Sequence, residues 1–114
     1  MIKESYVSYE VSKLLKEKGF AEPLVNYYYT TKGKRVGYLM SEEQYLCPTH
    51  QMACAWLREV HNLFILVGWN PIHKEYFTRI INMTDGYLKR NIHEYTNYED
   101  AVEAELKYTL ENLI

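Results

Sequence analysis

The chain has few cysteines, few prolines, no excess charge of one sign and no long apolar run. Its two cysteines, Cys47 and Cys54, flank Pro48 and lie close in sequence. With Cys54 inside a helix, that spacing places them badly for a disulfide. The longest apolar run, Leu63 to Val67, is far too short to span a bilayer. The opening residues 1–11 lack the apolar core of a signal peptide. These absences predict a reducing cytoplasm and no membrane partner. The formal net charge of −2 argues against a general polyanion binder. It averages an uneven distribution, however. Residues 49–93 hold five Lys/Arg against three Asp/Glu, and residues 94–114 hold six acids and Lys107. A basic middle and an acidic final segment provide local steering at most.

What the chain does have is tyrosine, 12 against 3 Phe and 2 Trp. Tyrosine is two-faced: the ring packs while the hydroxyl stays wet or hydrogen-bonded. Sequences that lean on it often use it where a sheet face or loop meets a partner. At 114 residues, with 47% hydrophobic and 25% charged residues, a single soluble domain is expected.

Ser8 to Phe20 predicts a first helix. Ser8 is its cap, Val7, Val11, Leu14 and Leu15 form one stripe, and Gly19 is the left-handed stop, with Phe20 folding back and Pro23 following. Residues 24–40 predict a hairpin across Lys32-Gly33. With a two-residue loop, Tyr29 pairs with Val36, Tyr27 with Tyr38 and Val25 with Met40, which groups these residues on a core face. Tyr28 is left outward. A three-residue loop would shift the assignment.

Thr49 caps a second helix running to His61, with Asn62 as its stop. Met52, Ala53, Trp56, Leu57, Val60 and Leu63 form its core side, and His50, Gln51, Cys54, Arg58 and His61 the opposite side. Leu63 to Trp69 is apolar on both faces, which predicts a central strand. Glu75 to Met83 predicts the next strand, packed through Tyr76, Phe77, Ile80 and Ile81, and Thr84-Asp85-Gly86 a turn. Residues 87–96 read equally as a short strand or an ordered loop. Asn97 caps a last helix to Leu113, with Val102, Leu106, Leu110 and Leu113 inward and Glu103–Lys107 as an exposed pair.

The predicted fold class is therefore α+β, in the order α-β-β-α-β-β-α. It consists of one four-stranded, mostly antiparallel sheet with helices packed on one face. A short internal echo relates Leu14-Leu-Lys-Glu17 to Trp56-Leu-Arg-Glu59, each preceding two strands.

The segments Val7 to Phe20, Cys47 to Asn62 and Tyr98 to Ile114 resemble a group of small hypothetical proteins from prophage and mobile-element regions of Bacteroides-type gut bacteria. The resemblance covers all three helices and rests on caps and core stripes. It implies a cytoplasmic accessory protein of phage or mobile-element origin, and it brings no site residues with it.

No catalytic or cofactor motif stands out, so no cofactor and no small-molecule ligand are expected. Cys47, His50, Cys54 and His61 lie within fifteen residues. His61 is too far along the helix to share an ion with Cys54, which leaves three ligands at most and no metal site. Cys54 beside His50 is the one candidate for a cysteine enzyme, but a mid-helix thiol gains little from the helix dipole. Glu105 is an acid at the edge of a core stripe, suited to an ion pair with Arg58 or Arg79.

The favoured reading is an interaction protein that binds another protein or itself, as a homodimer through a bare sheet face or an edge strand. Its contact candidates are Tyr28, Arg35, Leu39 and Trp69. The alternative is a single-stranded nucleic-acid binder using Tyr28 with Lys32, Lys34 and Arg35 at the hairpin tip, since aromatics with basic neighbours grip single strands.

Overall fold

Each helix begins at the cap its sequence supplies. The computed structural model describes residues 2–22, 25–39 and 41–114. Helix α1 (Tyr9–Glu17) follows Ser8, whose hydroxyl accepts the Val11 N–H at 3.1 Å. Helix α2 (His50–His61) follows Thr49, whose hydroxyl accepts the Met52 N–H at 3.1 Å. Helix α3 (Tyr98–Asn112) follows Asn97, whose side-chain oxygen accepts the Asp100 N–H at 3.0 Å. Each cap satisfies an amide that the first turn leaves without a partner. The stops are as expected too. Gly19 has φ +91° and Asn62 φ 55°, both left-handed, and the Phe20 N–H returns to the Leu15 carbonyl at 3.0 Å. Pro23 and Leu24 lie outside the described residues, as does Met40 with its expected pairing to Val25.

The strands depart from expectation. β1 (Tyr28–Tyr29), β2 (Arg35–Val36) and β3 (Tyr45–Leu46) form one antiparallel sheet in the order β2-β1-β3. β4 (Leu63–Asn70), β5 (Glu75–Asn82) and β6 (Leu88–Tyr95) form a second, in the order β4-β5-β6. The fold is α+β, but two three-stranded sheets replace the single four-stranded one. β3 is a two-residue strand, too short to leave a periodic signature. β6 is the strand reading of residues 87–96, and its mixed LKRNIHEY sequence shows no clean alternation.

The first hairpin closes with three residues, not two. The Thr30 N–H donates to the Lys34 carbonyl at 2.8 Å, and Gly33 takes φ +84° inside the loop. The register becomes Tyr28 opposite Val36 and Tyr29 opposite Arg35. Tyr38, expected on the core face, is exposed. Both leading helices precede three strands, so the echo extends to element order. The sheet topologies differ, since the first sheet centres on its first strand and the second on its middle strand.

β4 is an edge strand and not a central one, because among the described residues it pairs with β5 alone. Helices α2 and α3 cover the sheet face that carries Leu63, Ile65, Thr78 and Ile80, all buried. Val7, Val11, Leu15, Leu57, Leu106 and Leu110 complete the core. Two residues of α2 are reversed from expectation: Val60 is exposed, and His50 is buried. The Glu103–Lys107 pair does not form either. Lys107 reaches Glu10 on α1 at 2.9 Å, while Glu103 accepts the Ser8 N–H at 2.7 Å. Among the described residues no helix is long and apolar enough to cross a membrane.

Candidate interaction surface and the groove beside it

Strand alternation sends Leu63, Ile65 and Val67 toward the helices and Phe64, Leu66 and Gly68 to the other side. The register carries that second face across the sheet: Phe64 opposite Ile81, Leu66 opposite Arg79, Gly68 opposite Phe77, and Ile81 opposite Leu88. No described element covers it. Phe64 is 37% and Leu88 51% exposed. The Phe77 ring lies across Gly68, where an added Cβ would collide with it. The Arg79 guanidinium sits 5.1 Å from the Phe77 ring centre. This face has an apolar strip through Phe64, Phe77, Ile81 and Leu88, bordered by Arg79 over the Phe77 ring, by Asn91 opposite Arg79, and by His93, whose ring lies 6.1 Å from that of Phe77.

The free edge of β4 adjoins it. The Met83 N–H donates to the Asn62 carbonyl at 2.7 Å, in the register that pairs Leu63 with Asn82. Antiparallel ladders alternate hydrogen-bonded and open pairs, so Phe64, Leu66 and Gly68 bond to β5. Leu63, Ile65, Val67 and Trp69 then turn their N–H and C=O groups away from the sheet. The strand reads LFILVGWN, with no charge and no proline. The opposite edge, β6, is guarded. It carries Lys89, Arg90 and Glu94, its register to β5 shifts twice, and Glu94 has φ 83°. Charges and bulges of this kind keep an edge from pairing with another chain, and β4 has neither.

The residues singled out from sequence do not gather into one patch. Tyr28 is half-buried on β1. The Arg35 guanidinium stacks 4.6 Å from the Tyr6 ring centre and 5.2 Å from that of Tyr27. Leu39 is exposed in the loop after β2. Trp69, 49% exposed, belongs to the other sheet and packs edge-on against Tyr76 at 4.8 Å. Lys32 and Lys34 are exposed at the hairpin tip. That tip is tied back to α1, since the Tyr9 hydroxyl donates to the Thr31 carbonyl at 2.9 Å.

Most tyrosines turn inward. Tyr6 meets Tyr27 at 5.0 Å, and Tyr9 meets Tyr29 and Tyr45 at 5.6 and 5.7 Å. Three alone are exposed: Tyr38, Tyr87 and Tyr98. The open face instead carries Phe, Leu and Ile. Sequence reasoning expected a bare sheet face but drew its contact residues from Tyr28, Arg35, Leu39 and Trp69, because the register that sets which residues of β4 and β5 share that face is fixed across strands and not by local pattern.

The thiols are quiet. Cys47 is buried, and its Sγ lies 3.7 Å from the Val7 carbonyl, which also accepts the Tyr29 hydroxyl at 2.7 Å. Burial pushes the Tyr29 hydroxyl up to about 12. Burial pushes the Cys54 thiol up to about 11, with Arg58 offsetting it only in part. Burial therefore favours the protonated thiol of Cys54 at neutral pH. Glu105 pairs with neither Arg58 nor Arg79. Fully buried, it accepts from Arg90 Nε and from the Tyr95 hydroxyl, each at 2.7 Å, locking β6 to α3.

A groove of about 530 Å3 runs between the segment before α1, the start of α2 and β4. Ile65, Val67 and Val102 line it with apolar surface, and Ser5, His50 and Arg58 supply polar groups. Helical spacing puts His50 on the side of α2 opposite its core stripe. The structure turns it inward between Ser5 and Glu103, a meeting of distant segments that no local pattern announces. Among the described residues, no group of three or more His, Cys, Asp or Glu could hold a metal ion. No protein-family model, curated protein or solved structure matches the chain.

Proposed function

We propose that the protein is a small accessory protein that acts by binding protein, in the first instance a second copy of itself. Two copies join antiparallel along β4, so that one sheet runs through both and the open faces lie side by side. The observation that carries this reading is the unguarded β4 edge: outward amides, eight residues, no charge and no proline. A two-fold axis sets a strand against its own copy. An uncharged strand then opposes no like charges, whereas β6 would bring Lys89 and Arg90 against their own copies. A cytoplasmic setting and a phage or mobile-element origin belong to the same proposal. The nucleic-acid reading is weaker, because Arg35 is already stacked on Tyr6 and Tyr27.

Light scattering coupled to size-exclusion chromatography tests the proposal. The wild type is expected at twice the chain mass. Val67→Pro removes an outward amide without touching a β4–β5 bond, and it should run as a folded monomer. A wild-type chain that stays monomeric at high concentration overturns the reading.

A further inference from the structure

The groove holds a constellation that self-association leaves unused. Ser5 Oγ lies 3.0 Å from His50 Nδ1. His50 Nε2 lies 3.5 Å from Glu103 Oε1. The Glu103 carboxylate is itself held in place by the Ser8 N–H at 2.7 Å. His50 is only 8% exposed, and among the described residues its Nε2 has no hydrogen-bond partner. A proton on Nε2, facing the carboxylate, leaves the Nδ1 lone pair for the Ser5 hydroxyl. That is the order of nucleophile, base and orienting carboxylate used in acyl transfer, with the two ring nitrogens exchanged. Such constellations are recognised by geometry and roles, not by sequence position.

The surroundings suit the chemistry. A volume of about 530 Å3 accommodates a small organic molecule. Ile65, Val67 and Val102 offer an acyl chain an apolar floor. The first turn of α2 supplies the electrophilic end. There the His50 N–H is taken by the Ser5 carbonyl and the Met52 N–H by Thr49 Oγ1. The Gln51 N–H has no partner among the described residues, and Gln51 lines the groove. A free amide at the positive end of a helix is the kind of donor that stabilises a developing oxyanion, and here it borders the same groove.

We propose that this groove is a serine-dependent esterase site for short-chain acyl esters. Ser5 Oγ attacks the ester carbonyl carbon, and its proton passes to His50 Nδ1. The carbon–oxygen bond to the alcohol breaks, and the departing alkoxide takes that proton. Water then attacks the acyl-Ser5 carbonyl while giving a proton to Nδ1. The acyl–Oγ bond breaks, Ser5 recovers the proton, and the carboxylic acid leaves. Glu103 is a positioning residue whose carboxylate, 3.5 Å from Nε2, faces the imidazolium as it forms.

The test uses the full chain with p-nitrophenyl butyrate and, separately, a fluorophosphonate probe read by peptide mass spectrometry. The wild type is expected to release p-nitrophenol and to carry the probe on Ser5. Ser5→Ala, which deletes a half-exposed hydroxyl, should fold as the wild type and lose both signals. His50→Gln should slow labelling by roughly 100-fold. Glu103→Gln should slow it as well. Glu103→Asp should restore part of the rate. Folded wild type that takes up no more probe on Ser5 than background overturns the proposal. So does Ser5 labelling that is indifferent to His50→Gln and Glu103→Gln.

Discussion

The two sheets of this protein are stabilised in opposite ways. The small sheet has strands of two residues, and almost nothing in its ladder could hold it. It persists because side chains weld it to α1 and to the segment just before it: the Tyr9, Tyr29 and Tyr45 rings, the Tyr29 hydroxyl on the Val7 carbonyl, and Arg35 over Tyr6. The large sheet has strands of eight residues and a long ladder, with one face and one edge left bare. Where the ladder is short, aromatic side chains are consumed internally. Where the ladder is long, side chains are released for other uses. The tyrosine surplus is thus a structural device of the small sheet, and the exposed apolar surface belongs to the large one.

Four changes break or sharpen this contrast. Glu105→Ala strikes the side-chain anchor of the large sheet, leaving Arg90 and Tyr95 without their shared acceptor. Removing one partner of a buried ion pair costs several kcal/mol. Arg90 keeps some solvent contact, so a loss of roughly 3 kcal/mol is expected in urea unfolding. A loss well under ~1 kcal/mol would mean that the ladder alone holds β6.

Gly68→Ala probes the open face. The new methyl must displace the Phe77 ring, and overpacking of this sort costs about 1–2 kcal/mol in thermal or urea melts. The displaced ring should also change tyrosine-independent surface probes such as ANS binding.

Tyr29→Phe tests the small sheet by deleting one hydroxyl, with a cost of about 1 kcal/mol at neutral pH. It also carries a pH signature. The Tyr29 hydroxyl titrates at about 12 when folded against 10.0 in the open chain. The folded state therefore holds this proton more tightly. Its contribution is complete below pH 10 and is lost as pH rises toward 12. Cys54 behaves likewise between 9.0 and about 11. Alkaline unfolding should be flatter over the upper window in Tyr29→Phe and over the lower one in Cys54→Ala. Unchanged alkaline profiles would separate these groups from stability.

What was legible in the sequence was local. Ser8, Thr49 and Asn97 cap, and Gly19 and Asn62 stop, within a few residues of the helices they define. Stripes such as Val11–Leu15 and Val102–Leu106–Leu110 follow from helical spacing. What was not legible was set across distance. Residues 88–95 become a strand because Arg90 and Tyr95 find Glu105 on α3. Glu105 was visible as an acid on a core stripe, but its partners were not. The hairpin slipped by one residue because Gly33 and the Thr30 hydroxyl favour a three-residue loop over the Lys32-Gly33 pair. Ser5, His50 and Glu103 belong to three segments whose meeting depends on α1 lying against α3.

That α1–α3 contact also bears on synthesis. Ser8 and Glu103 are separated by 95 positions, and Glu10 meets Lys107 across the same boundary. As the chain leaves the ribosome, α1 and the small sheet emerge with their docking helix still to be translated. Their two-residue strands cannot hold alone. The N-terminal half should therefore stay protease-sensitive on a stalled nascent chain until residues beyond 107 have cleared the exit tunnel.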